Sequence, residues 1–308
     1  MVRWADEDDA VIGGDLTAAL AYVTPAGGAV ATPVAPVGLR DRAAGTVSFT
    51  TSLGLGRKLE RLRRDPRVAL AYHAREHGFA GGTRYVLVQG AARFDDRVDP
   101  VALRDVVRPA SEAFMGPMPS GRFWAFWLRE YLAQRILVTV AVERVVSWPD
   151  LACAGAPRVA GAMWPGAPPP PPPQAPPRNG TAPRIDVARM TRRIARLPQR
   201  LVAYRGADGL PVVVPVRVGP PEPSGVRLAA APRLLPRGGR RAGLLAHAYR
   251  PRLVGMESRV YTGWLQDGVY APHTEAAFVA PPNKTAMLLA NGGLAKWGVL
   301  RARRAAAA

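Results

Sequence analysis

The chain has 308 residues, with 42 Lys+Arg against 23 Asp+Glu, 32 Pro, 31 Gly and one Cys, and a formal net charge of +19. At roughly 100–200 residues per domain this length suggests two domains, while the lone Cys153 excludes a disulfide scaffold and no CxxC or Cys/His cluster is present to hold structural zinc. No apolar run approaches the ~18 residues of a membrane-spanning helix, and residues 1–9 are acidic where a signal peptide is basic and then apolar; the expected location is the cytoplasm.

The cations are 39 Arg and 3 Lys, and the accompanying abundance of Ala, Gly and Pro fits a GC-rich coding bias, so arginine content alone says little. Their distribution says more: residues 1–150 hold 19 basic and 17 acidic side chains, and residues 184–308 hold 21 and 6. A lopsided basic half points to an anionic partner, such as a nucleic acid, a membrane surface or a polyanionic cofactor.

In chain order, 16–23 predicts a strand, 25–28 a hairpin turn and 29–37 its partner. The stretch 45–51 is a third strand, after which Leu55, Leu59 and Leu62 share one face of a short helix ended by Asp65-Pro66. Strands at 68–73 and 84–94 flank the glycine-rich stretch 78–82. Helical patterns at about 100–115 and 122–133 precede a long closing strand, 135–148. Six strands with a helix inserted after the third suggest a mainly β fold, a barrel with few helices, rather than a parallel α/β sheet.

The stretch 165–183, with its six-proline run 168–173, reads as a semi-rigid spacer, with a polyproline ligand as the rival reading. It divides the chain into a first domain at 1–155, a Pro-rich linker at 156–183 and a second domain at 184–308. The second domain repeats the opening of the first: 201–204, a turn at 207–209 and 210–219 parallel the first hairpin, 226–230 the third strand, 237–247 its helix, and 259–265 echoes 84–90. Such self-similarity predicts two copies of one fold.

The strongest chemical signal is the run from Ser48 to Leu62. A strand ends in Thr50, Thr51 and Ser52, Gly54 and Gly56 let the backbone turn closely, and a helix begins with Arg57 and Lys58. Cations normally avoid a helix N-terminus, where the macrodipole is already positive. Their presence fits an anion such as phosphate between them and the exposed N–H groups; a solvated basic helix face is the competing account. The Walker spacing and a complete GxGxxG are both absent.

The order Phe49-Thr50-Thr51-Ser52, Arg57-Lys58, the Leu59/Leu62 helix, Asp65-Pro66-Arg67-Val68-Ala69-Leu70 and Tyr85-Val86-Leu87-Val88-Gln89-Gly90 resembles the flavin-binding split-barrel family related to pyridoxamine 5′-phosphate oxidase, over about residues 15–148. The resemblance implies two tandem split β-barrels, paired either within the chain as a pseudo-dimer or as a homodimer. It also implies flavin mononucleotide (FMN) held through its phosphate by Thr50, Thr51, Ser52, Arg57 and Lys58, with Arg84 and Gln89 as further contacts. Relatives that bind a deazaflavin with an acidic tail, or haem, make those the alternative cofactors. The implied activity is oxidoreduction of a small organic substrate; the alternatives are a flavin or haem carrier without turnover and, against the lack of any nucleic-acid motif, a basic nucleic-acid-binding module. The loop before Arg57 is about one residue longer than the family pattern, and in the second domain Arg240-Arg241 stands for Arg57-Lys58.

Other features are weaker. His73 and His77 are expected as polar residues of a hairpin tip rather than metal or haem ligands, and His247 and Tyr249 as the end of the second basic helix. His247 and His273 each fit either a turn or an active-site contact. Phe123, Trp124, Phe126, Trp127 and Tyr131 read as core or interface. The basic C-terminal stretch with Lys296, Trp297, Arg301, Arg303 and Arg304 reads as a solvated helix end, with docking to lipid or nucleic acid as the rival. No GxSxG elbow or HExxH motif supports hydrolase chemistry.

Overall fold

The computed structural model describes residues 2–54, 56–164 and 172–306. The first half runs α1 (Asp6–Gly14), β1 (Ala18–Val23), β2 (Ala29–Val34), β3 (Arg40–Asp41), β4 (Thr46–Ser52), α2 (Gly56–Arg64), β5 (Arg67–Tyr72) and β6 (Tyr85–Arg93). A helical excursion follows, made of α3 (Pro100–Ala102), a π-helical turn (Leu103–Val107), α4 (Arg108–Met115), α5 (Arg122–Trp127) and α6 (Arg129–Leu132), before β7 (Arg135–Trp148) and β8 (Arg158–Gly161). The second half runs α7 (Val187–Ile194), β9 (Gln199–Arg205), β10 (Pro211–Pro215), β11 (Arg217–Glu222), β12 (Gly225–Ala229), β13 (Gly239–Ala248), β14 (Glu257–Gln266), β15 (Val269–Val279) and α8 (Lys284–Ala306).

The halves share one topology. The first sheet is ordered β2-β1-β5-β6-β7-β4-β3, with β8 added on β7, and the second β10-β9-β13-β14-β15-β12-β11; each path is antiparallel and open at both ends, the form of a split barrel. Even an irregularity is duplicated. The β6–β7 register shifts between Gln89 and Gly90, and the β14–β15 register shifts between Thr262 and Gly263. A Cβ on Gly90 would stand 2.0 Å from Ala141 O, and one on Gly263 2.2 Å from Ala271 O, so each bulge admits only glycine.

This register corrects the sequence alignment of 259–265 with 84–90: the structure matches Gly263, not Leu265, to Gly90. A second correction concerns 237–247, which is strand β13 and not a helix. Ala242, Leu244, Leu245 and Ala246 are buried, so the stretch 242–246 is covered on both faces of the sheet, and β9 and β14 hydrogen-bond it on both sides. The second half therefore has no counterpart of α2 among the described residues. Helices α1 and α7 and strand β15 are additions that the sequence reading lacks, and β8 lies inside the stretch assigned to the linker.

Alternation along the first-half strands divides labour between two faces. Leu20, Tyr22, Val68, Leu70 and Tyr72 fill the interior of their own barrel. Ala19, Ala21, Ala29, Ala31, Ala69 and Ala71 face the second half, where Val202, Val213, Leu244 and Leu245 pack into the same core. Small residues on that face let two sheets approach closely: a Cβ on Gly243 would lie 2.8 Å from Ala29 O. The sheets thus pair within one chain.

Polar groups pin the pairing. Tyr85 Oη donates to Val213 O at 2.7 Å, and Arg144 meets Asp208 at 2.7 Å. From the linker, Gln174 bridges the β1–β2 turn and β13, donating to Gly27 O and Gly239 O and accepting from Arg241 N; residues 165–171, with most of the proline run, lie outside the described residues. His73 and His247, expected at a solvated hairpin tip and a helix end, instead follow β5 and end β13, buried, with their Nε2 atoms 2.6 Å apart. Since His73 Nδ1 donates to Ala71 O at 2.9 Å, its Nε2 accepts and His247 Nε2–H donates. Burial pushes both pKa values down, that of His73 to about 4.

Candidate functional site

The end of β4, the first turn of α2 and the start of β7 meet at one end of the first barrel. Helix α2 is held there by Leu59 and Leu62, both buried, which places Lys58 at the barrel rim. Ser52 pairs with Arg135 across the β4–β7 ladder, so their side chains leave the sheet on the same face. Arg135 is the functional candidate that sequence reading missed. The visible signal, a cation opening the closing strand, has no meaning until the register is known.

Lys58 is half-buried, and its pKa is pushed down to about 8, chiefly by burial and secondly by the Arg135 guanidinium. No hydrogen bond or ion pair to the ammonium is found among the described residues, and no carboxylate offsets the two cations. Arg135 itself is bonded to the Tyr131 hydroxyl, with its guanidinium 4.7 Å from the centre of that ring. Two positive charges held together, one partly stripped of water, are costly unless an anion joins them.

The hydroxyls do not all converge. Because side chains alternate, Thr50 and Ser52 lie on the Arg135 face, and Thr51 on the opposite, core face, directly across from Ile136. Ser52 Oγ accepts from Gly54 N at 3.1 Å and keeps its proton free to donate. Thr51 Oγ1 is buried without a hydrogen-bond partner among the described residues. Arg57 is exposed and borders a shallow depression shared with Pro25, Glu60, Arg61 and Arg64.

Arg84 and Gln89 stand elsewhere. Gln89 pairs across the ladder with Arg144, separated from Arg135 by roughly 30 Å of extended strand. Its amide is engaged there, donating to Pro211 O and accepting from Arg144 Nε. Arg84 precedes β6 and lies 3.7 Å from Asp8 of α1. At the equivalent corner of the second half, the loop between β12 and β13 is tied to β9, with Tyr204 Oη donating to Leu234 O at 2.5 Å, and Arg240 and Arg241 belong to β13. His273 lies 3.5 Å from Thr181 O. Cys153 is buried, and burial raises its thiol pKa far above the usual range. No cluster of three or more metal-ligating side chains occurs among the described residues.

No protein-family model matches the chain, and no curated protein does. Solved structures do. The chain is similar to a conserved hypothetical protein from Mycobacterium tuberculosis, at 24% identity and a TM-score of 0.37 over 51% of this chain and 91% of that one. It is similar to a pyridoxamine 5′-phosphate oxidase-related, FMN-binding protein from Nostoc punctiforme, at 13% identity and a TM-score of 0.30 over 44% and 74%. A heme-binding protein from Mycobacterium smegmatis matches at 15% identity and a TM-score of 0.33, over 96% of this chain and 100% of that chain. Such likeness concerns fold, and what those proteins bind is a property of theirs.

Proposed function

We propose that the β4–α2–β7 corner holds the phosphate of a flavin, FMN in the first instance, and that the chain is a flavin-dependent oxidoreductase acting on a small organic molecule. The observation that carries this reading is the pairing of Lys58 with Arg135, without a compensating carboxylate, beside the Ser52 hydroxyl. The donor set fits a phosphate: an ammonium, a guanidinium and a hydroxyl at the end of a strand, next to a turn containing Gly54. When bound, the isoalloxazine supplies the hydride chemistry. This chain's residues hold and orient: Lys58 and Arg135 neutralise the phosphate, Ser52 donates to it, and Arg135 is itself steadied by Tyr131.

A deazaflavin is the second reading. It is favoured by Arg57, Arg61 and Arg64, which line the depression on the outer side of α2 and would suit an acidic tail leading away from the phosphate. The test is the absorption spectrum of the purified protein, followed by titration with FMN. The proposal expects flavin bands in the wild type and their loss in Lys58→Ala and Arg135→Ala. Unchanged FMN affinity in both variants would overturn the phosphate assignment. Bound flavin that no electron donor reduces would replace the enzyme with a carrier.

A further inference from the structure

Helices α5 and α6 of the first half and α8 of the second form one surface. Trp127 Nε1 donates to Leu289 O at 3.1 Å, a Cβ on Gly292 would stand 2.4 Å from the Trp127 indole, and Lys296 meets Glu130 at 2.9 Å while its ammonium sits 4.1 Å above the Phe126 ring. The side that remains outward is apolar. Phe123 and Phe126 are 56% and 60% exposed, and Trp297 and Leu300 are 57% and 53% exposed. At about 100° per residue, Leu289, Lys296, Leu300 and Trp297 fall within an arc of about 100° on α8, next to Phe126.

Large aromatic and aliphatic side chains are rarely left in water as a group unless something covers them. Charge identifies the cover. Glu130, the one acidic residue in these three helices, is already matched by Arg129 and Lys296. Arg122 is exposed beside the aromatic residues, and the Lys296 ammonium lies against Phe126. A second copy seated on this face by two-fold symmetry would bring these cations against their own images. Nucleic acid would use the aromatic rings and the cations but leave the leucines uncovered. An anionic bilayer satisfies all three: Phe and Trp at the headgroup boundary, leucines in hydrocarbon, Arg and Lys among the phosphates. Among the described residues no helix is long and apolar enough to cross a membrane, so the contact is peripheral.

We infer that the face formed by α5, α6 and α8 docks on anionic lipid membranes, with Phe126 and Trp297 inserted and Arg122 and Lys296 at the headgroups. The inference is independent of the flavin reading. The experiment is co-sedimentation of the full chain with vesicles of phosphatidylcholine alone or mixed with phosphatidylglycerol. Binding is expected only to the anionic vesicles and to weaken as salt rises. It should fall at least about tenfold both in the double variant Phe126→Ser/Trp297→Ser and in Arg122→Glu/Lys296→Glu. Thermal melting of each variant shows whether it is folded, and Arg122→Glu alone, a single exposed side chain, serves if a double variant is not. Three results would overturn the inference: no binding of the wild type to anionic vesicles, undiminished binding in folded variants, or a wild-type dimer in light scattering that Phe126→Ser/Trp297→Ser converts to monomer.

Discussion

The two corners at which a strand leaves each sheet, β4 to β5 in the first half and β12 to β13 in the second, are built differently. The sheets have the same strand order and the same glycine bulge, yet the first corner carries a nine-residue helix with cations in its opening turn. The second carries a loop whose carbonyl at Leu234 is tied down by Tyr204. A scaffold duplicated at the level of ladders and bulges therefore carries a cation-headed helix at this corner in one copy and a loop tied to the sheet in the other. The comparison separates what both copies need in order to pack from what only one of them carries.

The largest effect should come from what the halves share. Gly90→Val and Gly263→Val each force a side chain to within about 2 Å of a carbonyl oxygen and should each cost about 3 kcal/mol or more, read by chemical denaturation. A large loss in one and none in the other would break the equivalence of the bulges.

The next effect is at the junction. His73 and His247 have pKa values depressed below the unfolded value of 6.5, so the stability they contribute is complete above about pH 6.5 and is lost as pH falls toward 4. For His73 alone the loss is on the order of 3 kcal/mol. Asp15, pushed up to about 8 by burial despite Arg75, titrates in the opposite sense. The expected observable is thus the difference in unfolding free energy between wild type and His73→Gln/His247→Gln, which should shrink as pH drops from 7 to 4.5.

Third, the corners should separate by ligand. Lys58→Ala and Arg135→Ala should each weaken FMN binding by about ten- to a hundredfold, whereas Arg241→Ala in the second half should leave the dissociation constant unchanged. Equal losses at both corners would mean that the second half holds ligand too. Wild-type affinity should also be flat between about pH 7 and 8, above the second ionisation of the FMN phosphate near pH 6, and fall above pH 8, as Lys58, with its pKa near 8 in the free protein, gives up its proton; Lys58→Arg should abolish that fall. The smallest effect is Ser52→Ala, a loss of about 1 kcal/mol in binding for one hydroxyl donor.

The sequence by itself determined the β class, the duplication and most first-half strand positions, because apolar periodicity, turn residues and helix breakers are local and each half obeys them. It singled out Lys58, since a cation opening a helix is visible in one dimension. Only the tertiary structure decided that 237–247 is a strand: its short apolar stretch 242–246 suits either element, and ladder partners on both sides settled it. Only the ladder register put Arg135 next to Ser52 and sent Thr51 to the other face, and only the pairing of the two sheets buried His73 against His247. Neighbours far apart in the chain are fixed by register and packing, and neither is written in spacing along one segment.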